Sequence, residues 1–268
     1  VDNDIRFYKL KRYFQNTKFI SIQNGYRFYR DDLFELLDNT KEKLYCDEYY
    51  CFGQNIKNYL KNRLKSKYFI LGSIKNNFSK KISFKKNKDI CFISSYGSMA
   101  SNLKNEKKII NILLDFCLEK NIKLTILPRT MEKEEKTFYQ SIIKNDNFIY
   151  HKKKKTINYS YNLIDKYEIC VSTNSTLGYE NLARGNKTLF INTSDVDCKS
   201  YMKFGYPEKF KGEGQFWISV STKELILKKI RKIYKLSNNE WKRKSKKIVD
   251  KIIVFNKNNN LLIKNINN

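Results

Sequence analysis

Short apolar runs alternate with amphipathic segments from about Phe84 onward, and this alternation constrains the fold more than any other feature. Apolar runs of roughly four to eight residues are typical of strands buried on both faces, whereas apolar residues three or four positions apart are typical of helices that cover such strands. The predicted strands are 89–97, 122–129, 147–152, 168–173 and 187–192, and the predicted helices are 105–121, 132–145, 157–167 and 176–185. The pattern predicts an α/β fold with a Rossmann-like, doubly wound parallel sheet.

The N-terminal residues predict a second unit of the same kind. Residues 18–25 and 48–53 each run from an apolar strand into a glycine, residues 54–65 form a helix, and residues 68–73 form a further strand. Because a complete α/β half needs roughly 100 residues, we expect this N-terminal half to be truncated or unusually small. The predicted division is a partial α/β unit (1–75), a polar linker (76–88), a Rossmann-like domain (89–221), and two basic helices with a fraying tail (222–268).

The chain carries 54 Lys and Arg against 27 Asp and Glu, a formal net charge of +27. Such an excess is typical of proteins that bind nucleic acid or an anionic membrane. It also accompanies abundant Asn, Ile, Tyr and Phe, which indicates a coding bias toward A and T. Because the basic residues recur from Arg6 to Lys264 rather than in one block, a solvated basic surface is favoured and nucleic acid is disfavoured as a partner. The helices within 222–253 remain suited to an anionic inner-membrane surface.

The six cysteines include no CxxC pair, and His151 is the single histidine. Three of the cysteines lie in apolar runs, where a free thiol packs as a small hydrophobic group. The sequence therefore predicts a reducing, cytoplasmic environment and neither a metal site nor a cofactor. No apolar run approaches the ~20 residues that a membrane-spanning helix needs.

A polar run directly follows the predicted strand 168–173. It consists of small hydroxyl and amide residues: Ser172, Thr173, Asn174, Ser175 and Thr176. Ser175 and Thr176 fall at a helix N-terminus, where backbone N–H groups and the helix dipole favour a phosphate. Glu180 lies one helical turn further on, where a carboxylate could accept hydrogen bonds from a ribose. The alternative is that Asn174 or Ser175 simply caps the helix.

The segment Asn174–Asn192, "NSTLGYENLARGNKTLFIN", resembles the signature of bacterial surface-polysaccharide glycosyltransferases of the GT-B type, including capsule and lipopolysaccharide Kdo transferases that use CMP-activated sugars. In that family a strand leads into Ser-Thr, then into Gly and Glu on a helix, then through a turn into the next strand. Weaker similarity extends over about residues 17–220. The resemblance implies a GT-B-like, metal-independent enzyme that transfers a sugar from a nucleotide-sugar donor, such as CMP-Kdo, to a surface polysaccharide or lipopolysaccharide.

The resemblance also implies roles for individual residues. Asn174, Ser175 and Thr176 would hold the donor phosphate and Glu180 its ribose. Ser94, Ser95 and Gly97 would approach the nucleotide from the other side of a cleft, and Arg129 would offer a planar fork to a phosphate or a sugar carboxylate. The sequence departs from the family pattern at Leu127 and Asn24, where many relatives have histidine, so the catalytic base is not identified.

A second candidate loop, residues 23–32, follows the first predicted strand of the N-terminal unit. Gln23, Asn24, Gly25 and Arg27 would face the acceptor or the cleft, and Asp31 or Asp32 would act as base or nucleophile. The alternative is an ordinary Asn-Gly turn followed by an aspartate that caps a helix.

Two further functions compete with glycosyl transfer. A nucleotide-sugar epimerase would share the architecture, but it would need several acid/base groups, which a chain with one histidine supplies poorly. A basic, non-catalytic module for nucleic acid or anionic lipid would need its cations gathered on one face. The sequence therefore favours a cytoplasmic glycosyltransferase that is peripheral at the inner membrane.

Overall fold

The computed structural model describes residues 2–27, 33–82, 86–97, 103–143, 148–156, 158–191, 204–208, 210–219 and 222–266. Its chain divides into two units. The first unit comprises Val1–Lys80, Gly205–Lys209 and Lys246–Asn268, and the second comprises Lys81–Phe204 and Phe210–Ser245.

Within its described residues, the first unit has a three-stranded parallel sheet. The elements in chain order are α1 (Ile5–Leu10), β1 (Ile20–Ile22), α2 (Leu33–Asn39), β2 (Leu44–Cys51), α3 (Gln54–Leu60), β3 (Leu64–Ile70) and α4 (Ile74–Phe78). The strand order is β1-β2-β3. Aromatic and aliphatic residues from the helices and the central strand form its core, including the fully buried Tyr8, Phe34, Tyr49 and Ile56.

The second unit, over its described residues, has a six-stranded parallel sheet. Its elements are β4 (Asn87–Ile93), α5 (Leu103–Lys120), β5 (Leu124–Leu127), α6 (Lys133–Ile142), β6 (Phe148–Tyr150), α7 (Tyr159–Ile164), β7 (Tyr167–Ser172), α8 (Thr176–Ala183), β8 (Lys187–Ile191), β9 (Trp217–Ile218) and α9 (Lys223–Lys235). The strand order β6-β5-β4-β7-β8-β9 is that of a doubly wound sheet that starts at β4 and grows outward in both directions. Every residue of β5 and β8 is buried, as expected for strands covered on both faces. The predicted α/β fold with a doubly wound parallel sheet is confirmed.

The C-terminal helices divide between the two units. Helix α10 (Asn238–Ile252) begins in the second unit and ends in the first, and a short 3-10 turn (Lys257–Asn259) and α11 (Asn260–Ile266) follow. The prediction that this tail frays is wrong for the residues described. Asn256 donates its backbone N–H to Asn77 Oδ1 (2.9 Å), and Asn77 Nδ2 donates to Asn259 Oδ1 (2.9 Å). These amides fasten the tail to α4.

The returning C-terminal segment also explains two glycines that follow strands of the first unit. A Cβ at Gly53 would meet the backbone of Ile252, and one at Gly72 would meet the carbonyl oxygen of Val254. Val254 donates its N–H to the Phe52 carbonyl (3.0 Å). Within the described residues, 246–266 therefore belong to the N-terminal unit, although the sequence predicts a separate segment over 222–268; α4 also ends inside the predicted linker 76–88.

Candidate functional site

The loops after β4 and β7 form the candidate site, because these strands are neighbours at the point where the order of the sheet reverses. Ligands of open parallel sheets bind beyond the carboxyl ends of the strands at this position. Ile93 and Ser172 are paired in register, so both chains leave the sheet side by side. Ser95 Oγ lies 2.9 Å from Thr173 Oγ1, and this hydrogen bond joins the two loops. The structure therefore brings two separately predicted loops together.

Helix α8 begins where the β7 loop ends. Ser175 is its N-cap, and Ser175 Oγ accepts a hydrogen bond from the N–H of Leu177 (3.3 Å). The capping interpretation of Ser175 is thus confirmed. Thr176 is the first helical residue and is half-buried, and Asn174 is 8% exposed. A partly open helix N-terminus at a switch point is the arrangement in which the helix dipole favours an anion.

Gly178 sets the distance between α8 and β7. A Cβ at this position would lie 2.5 Å from Ser172 Oγ and 2.6 Å from Ser172 Cβ, closer than side chains approach. The glycine therefore lets the first turn of α8 lie directly against the end of β7. Glu180, the predicted ribose ligand, follows on the same helix and is 5% exposed.

A buried ion pair fixes the other end of α8. Arg184 Nε donates to Asp165 Oδ1 (3.0 Å) and Arg184 Nη2 to Asp165 Oδ2 (2.5 Å), and both side chains are fully buried. Asn186 Nδ2 also donates to Asp165 Oδ1 (2.8 Å). Burial acts to raise the pKa of the Asp165 carboxyl, but the hydrogen bonds from Arg184 and Asn186 outweigh it and hold the pKa below its ordinary value. Both ends of the helix are thereby anchored.

Glu135 of α6 holds the loop after β5 and is fully buried. Its Oε1 accepts hydrogen bonds from Ser94 Oγ (2.5 Å) and from the Arg129 N–H (2.9 Å). Its Oε2 accepts from the N–H and the Oγ1 of Thr130, both at 2.7 Å. One carboxylate therefore links the β4 and β5 loops.

Glu106 of α5 lies beneath the β4 loop and holds it through a hydrogen bond from Ser95. Ser95 Oγ donates to Glu106 Oε1, and the hydroxyl of Tyr139 lies 2.7 Å from both Glu106 Oε2 and Ser94 Oγ. Burial raises the pKa of the Glu106 carboxyl above its ordinary value; the nearby Glu135 adds to the shift, and the hydrogen bonds from Ser95 and Tyr139 oppose it. The hydroxyls of Ser94 and Ser95 are thus turned inward.

Arg129 and Gly97 are brought together at the edge of this network. Arg129 is exposed, and its Nη1 donates to the carbonyl of Tyr96 (3.0 Å). Gly97 has φ +65°, a left-handed conformation that favours glycine, and its Cβ position would lie 3.6 Å from Arg129 Nη1. The guanidinium of Arg129 therefore lies over the β4 loop and is exposed to solvent.

The candidate residues of the first unit have internal partners. Gln23 is buried, its Oε1 accepts from the Phe52 N–H (2.8 Å), and its Nε2 donates to the Gly25 carbonyl (2.9 Å). Arg27 is buried against Asp2 in an ion pair, and its Nη2 donates to Asn24 Oδ1 (3.1 Å). The predicted catalytic residues Asp31 and Asp32 lie outside the described residues.

Sequence reasoning missed the residues that hold the loops in place: Glu106, Glu135, Tyr139, Asp165 and Arg184. A signal for the two glutamates was present. Glu135 precedes Tyr139 by four residues and Glu106 precedes Ile109 and Ile110 by three and four, so each glutamate falls on the apolar face of its helix. A charged residue at a core position indicates a buried partner.

The described part of the chain contains neither a metal-binding cluster nor a membrane-spanning helix. No group of three or more His, Cys, Asp or Glu side chains there is placed to hold a metal ion. No helix there is sufficiently long and apolar to span a bilayer.

Solved structures share this architecture. The UDP-GlcNAc 2-epimerase of Methanocaldococcus jannaschii, in complex with UDP-GlcNAc and UDP, aligns with a TM-score of 0.56 and 13% identity, over 94% of this chain and 70% of that one. The enzyme of Neisseria meningitidis bound to UDP-GlcNAc aligns with a TM-score of 0.55 and 12% identity, over 96% and 71%. A GtfA/B complex aligns with a TM-score of 0.53 and 11% identity, over 96% and 54%. The fold is therefore the GT-B-like fold of sugar-processing enzymes.

The sequence itself matches the model of a family described as O-antigen biosynthesis proteins over residues 20–268. The chain belongs to this family. No curated protein matches it at the sequence level. Membership of this family connects the chain with the biosynthesis of O-antigen.

Proposed function

We propose that this protein is a glycosyltransferase that takes a sugar from a nucleotide-sugar donor and passes it to a bacterial surface-polysaccharide or lipopolysaccharide acceptor. The observation that carries the proposal is the meeting of the β4 and β7 loops, joined at Ser95 and Thr173, beside the N-terminus of α8. The donor phosphate would lie at Thr176, where the helix dipole stabilises negative charge on the leaving nucleotide. Arg129 would contribute a second, cationic contact.

Two observations bear on the identity of the donor. The family resemblance of the Asn174–Asn192 segment favours a CMP-activated sugar such as CMP-Kdo, whereas the two solved epimerases carry UDP-GlcNAc or UDP. Glu180 is the proposed ribose ligand. Asp31 or Asp32 is the proposed catalytic base, and the first unit would bind the acceptor. The substrate itself supplies the nucleotide, so the proposal includes no metal and no further cofactor.

Epimerisation of a nucleotide sugar is the second candidate, because solved epimerases share the fold. An epimerase needs acid/base groups that can reach the sugar. Two carboxylates next to the candidate site, Glu106 and Glu135, are buried and hydrogen-bonded beneath the loops, and a third, Glu180, is the proposed ribose ligand. His151, the single histidine, is hydrogen-bonded to the Tyr167 hydroxyl (2.7 Å). Glycosyl transfer is therefore favoured.

Titration calorimetry against CMP, CDP, UDP and GDP tests the donor site. Ser175→Ala would remove a helix cap as well as a hydroxyl, so the sharper variant is Thr176→Glu. A carboxylate in the first turn suits the helix dipole and preserves the fold, but it repels a phosphate. Gln54→Glu, at the first position of α3 in the first unit, is the matched control.

We expect one nucleotide to bind, Thr176→Glu to weaken its binding at least tenfold, and Gln54→Glu to leave it unchanged. Binding of no nucleotide, or equal binding by Thr176→Glu and the wild type, would refute the proposal. Incubation with the nucleotide sugar in the absence of acceptor separates the two enzymatic candidates. An NMR spectrum in which a second nucleotide sugar appears would identify an epimerase instead.

A further inference from the structure

A basic groove lies at the amino ends of β2 and β3 in the first unit, at the opposite ends of these strands from Gly53 and Gly72. Its volume is about 980 Å³. It is lined by the end of α1 and the turn after it, by the residues that lead into β2, and by the start of β3. We call it the amino-edge groove, and its charged lining residues are Lys11, Arg12, Lys41, Glu42, Lys43, Asp47, Lys65 and Lys67.

The positive charge of the amino-edge groove is only partly neutralised. Lys11 pairs with Asp47 (3.0 Å) and Arg12 lies 3.8 Å from Glu42. The remaining four lysines, Lys41, Lys43, Lys65 and Lys67, are exposed, and none lies within ion-pair distance of a carboxylate among the described residues. An adjoining depression of about 500 Å³ adds the exposed Lys61, whereas Arg63 beside it is paired with Asp38 (2.5 Å). The groove therefore presents a contiguous cationic surface that complements an anionic partner.

Apolar side chains are exposed in the same stretch of chain. Leu10 is 43% exposed, Tyr13 79% and Phe14 53%, and they flank the groove residues Lys11 and Arg12 in sequence. The backbone of this turn is held by hydrogen bonds from the N–H groups of Tyr13 (2.9 Å) and Phe14 (3.2 Å) to the Leu10 carbonyl. Exposed aromatic side chains beside lysines and arginines are typical of surfaces that enter the headgroup layer of a membrane.

We propose that the amino-edge groove, with Leu10, Tyr13 and Phe14, docks this protein on an anionic lipid bilayer. Cations attract the acidic headgroups, and the aromatic rings insert at headgroup level. A soluble polyanion would use the cations but gain nothing from three exposed apolar side chains, so the bilayer accounts for both observations. This inference is independent of the proposed donor site.

Helices α9 and α10, which form the basic segment within 222–253, are less suited to this role. The apolar face of α9 is buried within the second unit through Ile226, Ile230 and Ile233. Trp241 of α10 is buried as well. Among the described residues, none of the exposed large apolar side chains lies on α9 or α10, so these two helices offer lysines but no group like Tyr13 or Phe14 that could insert into a membrane.

Flotation with vesicles of phosphatidylcholine alone, or of phosphatidylcholine with 30% phosphatidylglycerol, tests the proposal, since ~1 kcal/mol per lysine near an anionic surface is about fivefold in binding. The groove variant is Lys41→Gln/Lys43→Gln/Lys65→Gln/Lys67→Gln. The matched control removes four exposed lysines from the C-terminal helices, as Lys228→Gln/Lys232→Gln/Lys244→Gln/Lys247→Gln. A third variant, Tyr13→Ser/Phe14→Ser, retains every charge.

We expect the wild type to bind only the anionic vesicles, the groove variant to bind at least about 100-fold more weakly, and the control to change less than about fivefold. Tyr13→Ser/Phe14→Ser should weaken binding about tenfold, with an unchanged circular dichroism spectrum in all variants. Equal losses in the groove variant and the control would overturn the proposal, because binding would then follow net charge alone. Tight binding to soluble polyphosphate, with no dependence on Tyr13 and Phe14, would identify a soluble polyanion as the partner instead.

Discussion

Replacement of Glu135 by glutamine is the most direct test of how the loops at the candidate site are held. The change keeps the size of the side chain and removes only its charge and one acceptor oxygen. Each carboxylate oxygen accepts one backbone N–H, from Arg129 at 2.9 Å and from Thr130 at 2.7 Å, together with one hydroxyl. Whichever way the amide of Glu135→Gln is turned, its NH₂ group therefore faces a backbone N–H.

The magnitude follows from these four hydrogen bonds. A buried donor left without an acceptor costs about 1–3 kcal/mol, and hydrogen bonds to a neutral amide are worth roughly half of those to a carboxylate. The hydroxyls of Ser94 and Thr130 can rotate and donate elsewhere, which limits the loss. We therefore expect Glu135→Gln to lower the free energy of unfolding by about 2–4 kcal/mol, a large part of the ~5–15 kcal/mol that holds a domain together.

Urea unfolding followed by tryptophan fluorescence measures the stability of the second unit, which contains Glu135. The chain has two tryptophans, Trp217 and Trp241, and both lie in the second unit with Glu135. Glu134→Gln, on the exposed side of the same helix, is the control and should change stability by no more than about 0.5 kcal/mol. Equal stabilities of the Glu135→Gln and Glu134→Gln variants would show that the carboxylate network does not hold the loops.

Three further outcomes are expected. Gly178→Ala should lower the stability of the second unit by about 1–3 kcal/mol, because its Cβ would meet Ser172; adding Ser172→Gly should recover part of the loss in the same urea assay. Because the folded-state pKa of Asp165 is lowered, its carboxylate contributes stability above the unfolded pKa of ~3.9 and loses it as the pH falls further, so Asp165→Asn should flatten the decline of the urea midpoint in acid. Since burial disfavours the charged imidazole, the pKa of His151, the single histidine, should lie below the ordinary value of 6.5 when its ring protons are followed by NMR. A titration midpoint at or above pH 6.5 would contradict its partly buried position.

The doubly wound sheet could be predicted because its strands carry their own signal. A strand covered on both faces is mostly apolar, and β5 and β8 are buried throughout; their polar residues are Thr125, Lys187 and Thr188. The ends of the helices and strands were predicted less accurately. The predicted helix 54–65 ends at Leu60, and β3 begins at Leu64, because Leu64 packs in the core of the sheet while Lys61 and Asn62 are exposed.

Local sequence patterns could not predict that the C-terminal tail belongs to the first unit. Its contacts with Asn77 are hydrogen bonds between residues 179 and 182 positions apart. Asparagine has a low helix propensity and is common in loops, so an Asn-rich segment indicates disorder unless its partner is known. The glycines after β2 and β3 were visible in the sequence, but the backbone that passes over them was not.

The polar loops show most clearly where sequence reasoning stops. A run of hydroxyl residues after a strand can hold a ligand or can bond to groups inside the protein, and the sequence does not distinguish the two. The structure pairs Ser94 with Glu135 and Ser95 with Glu106 and Thr173. We therefore expect these serines to fix the shape of the β4 loop, while recognition of a donor phosphate falls to the first turn of α8 and to the guanidinium of Arg129. Arg129→Gln should then weaken nucleotide binding with little effect on stability, whereas Ser95→Ala should lower stability first, and calorimetry beside urea unfolding separates the two effects.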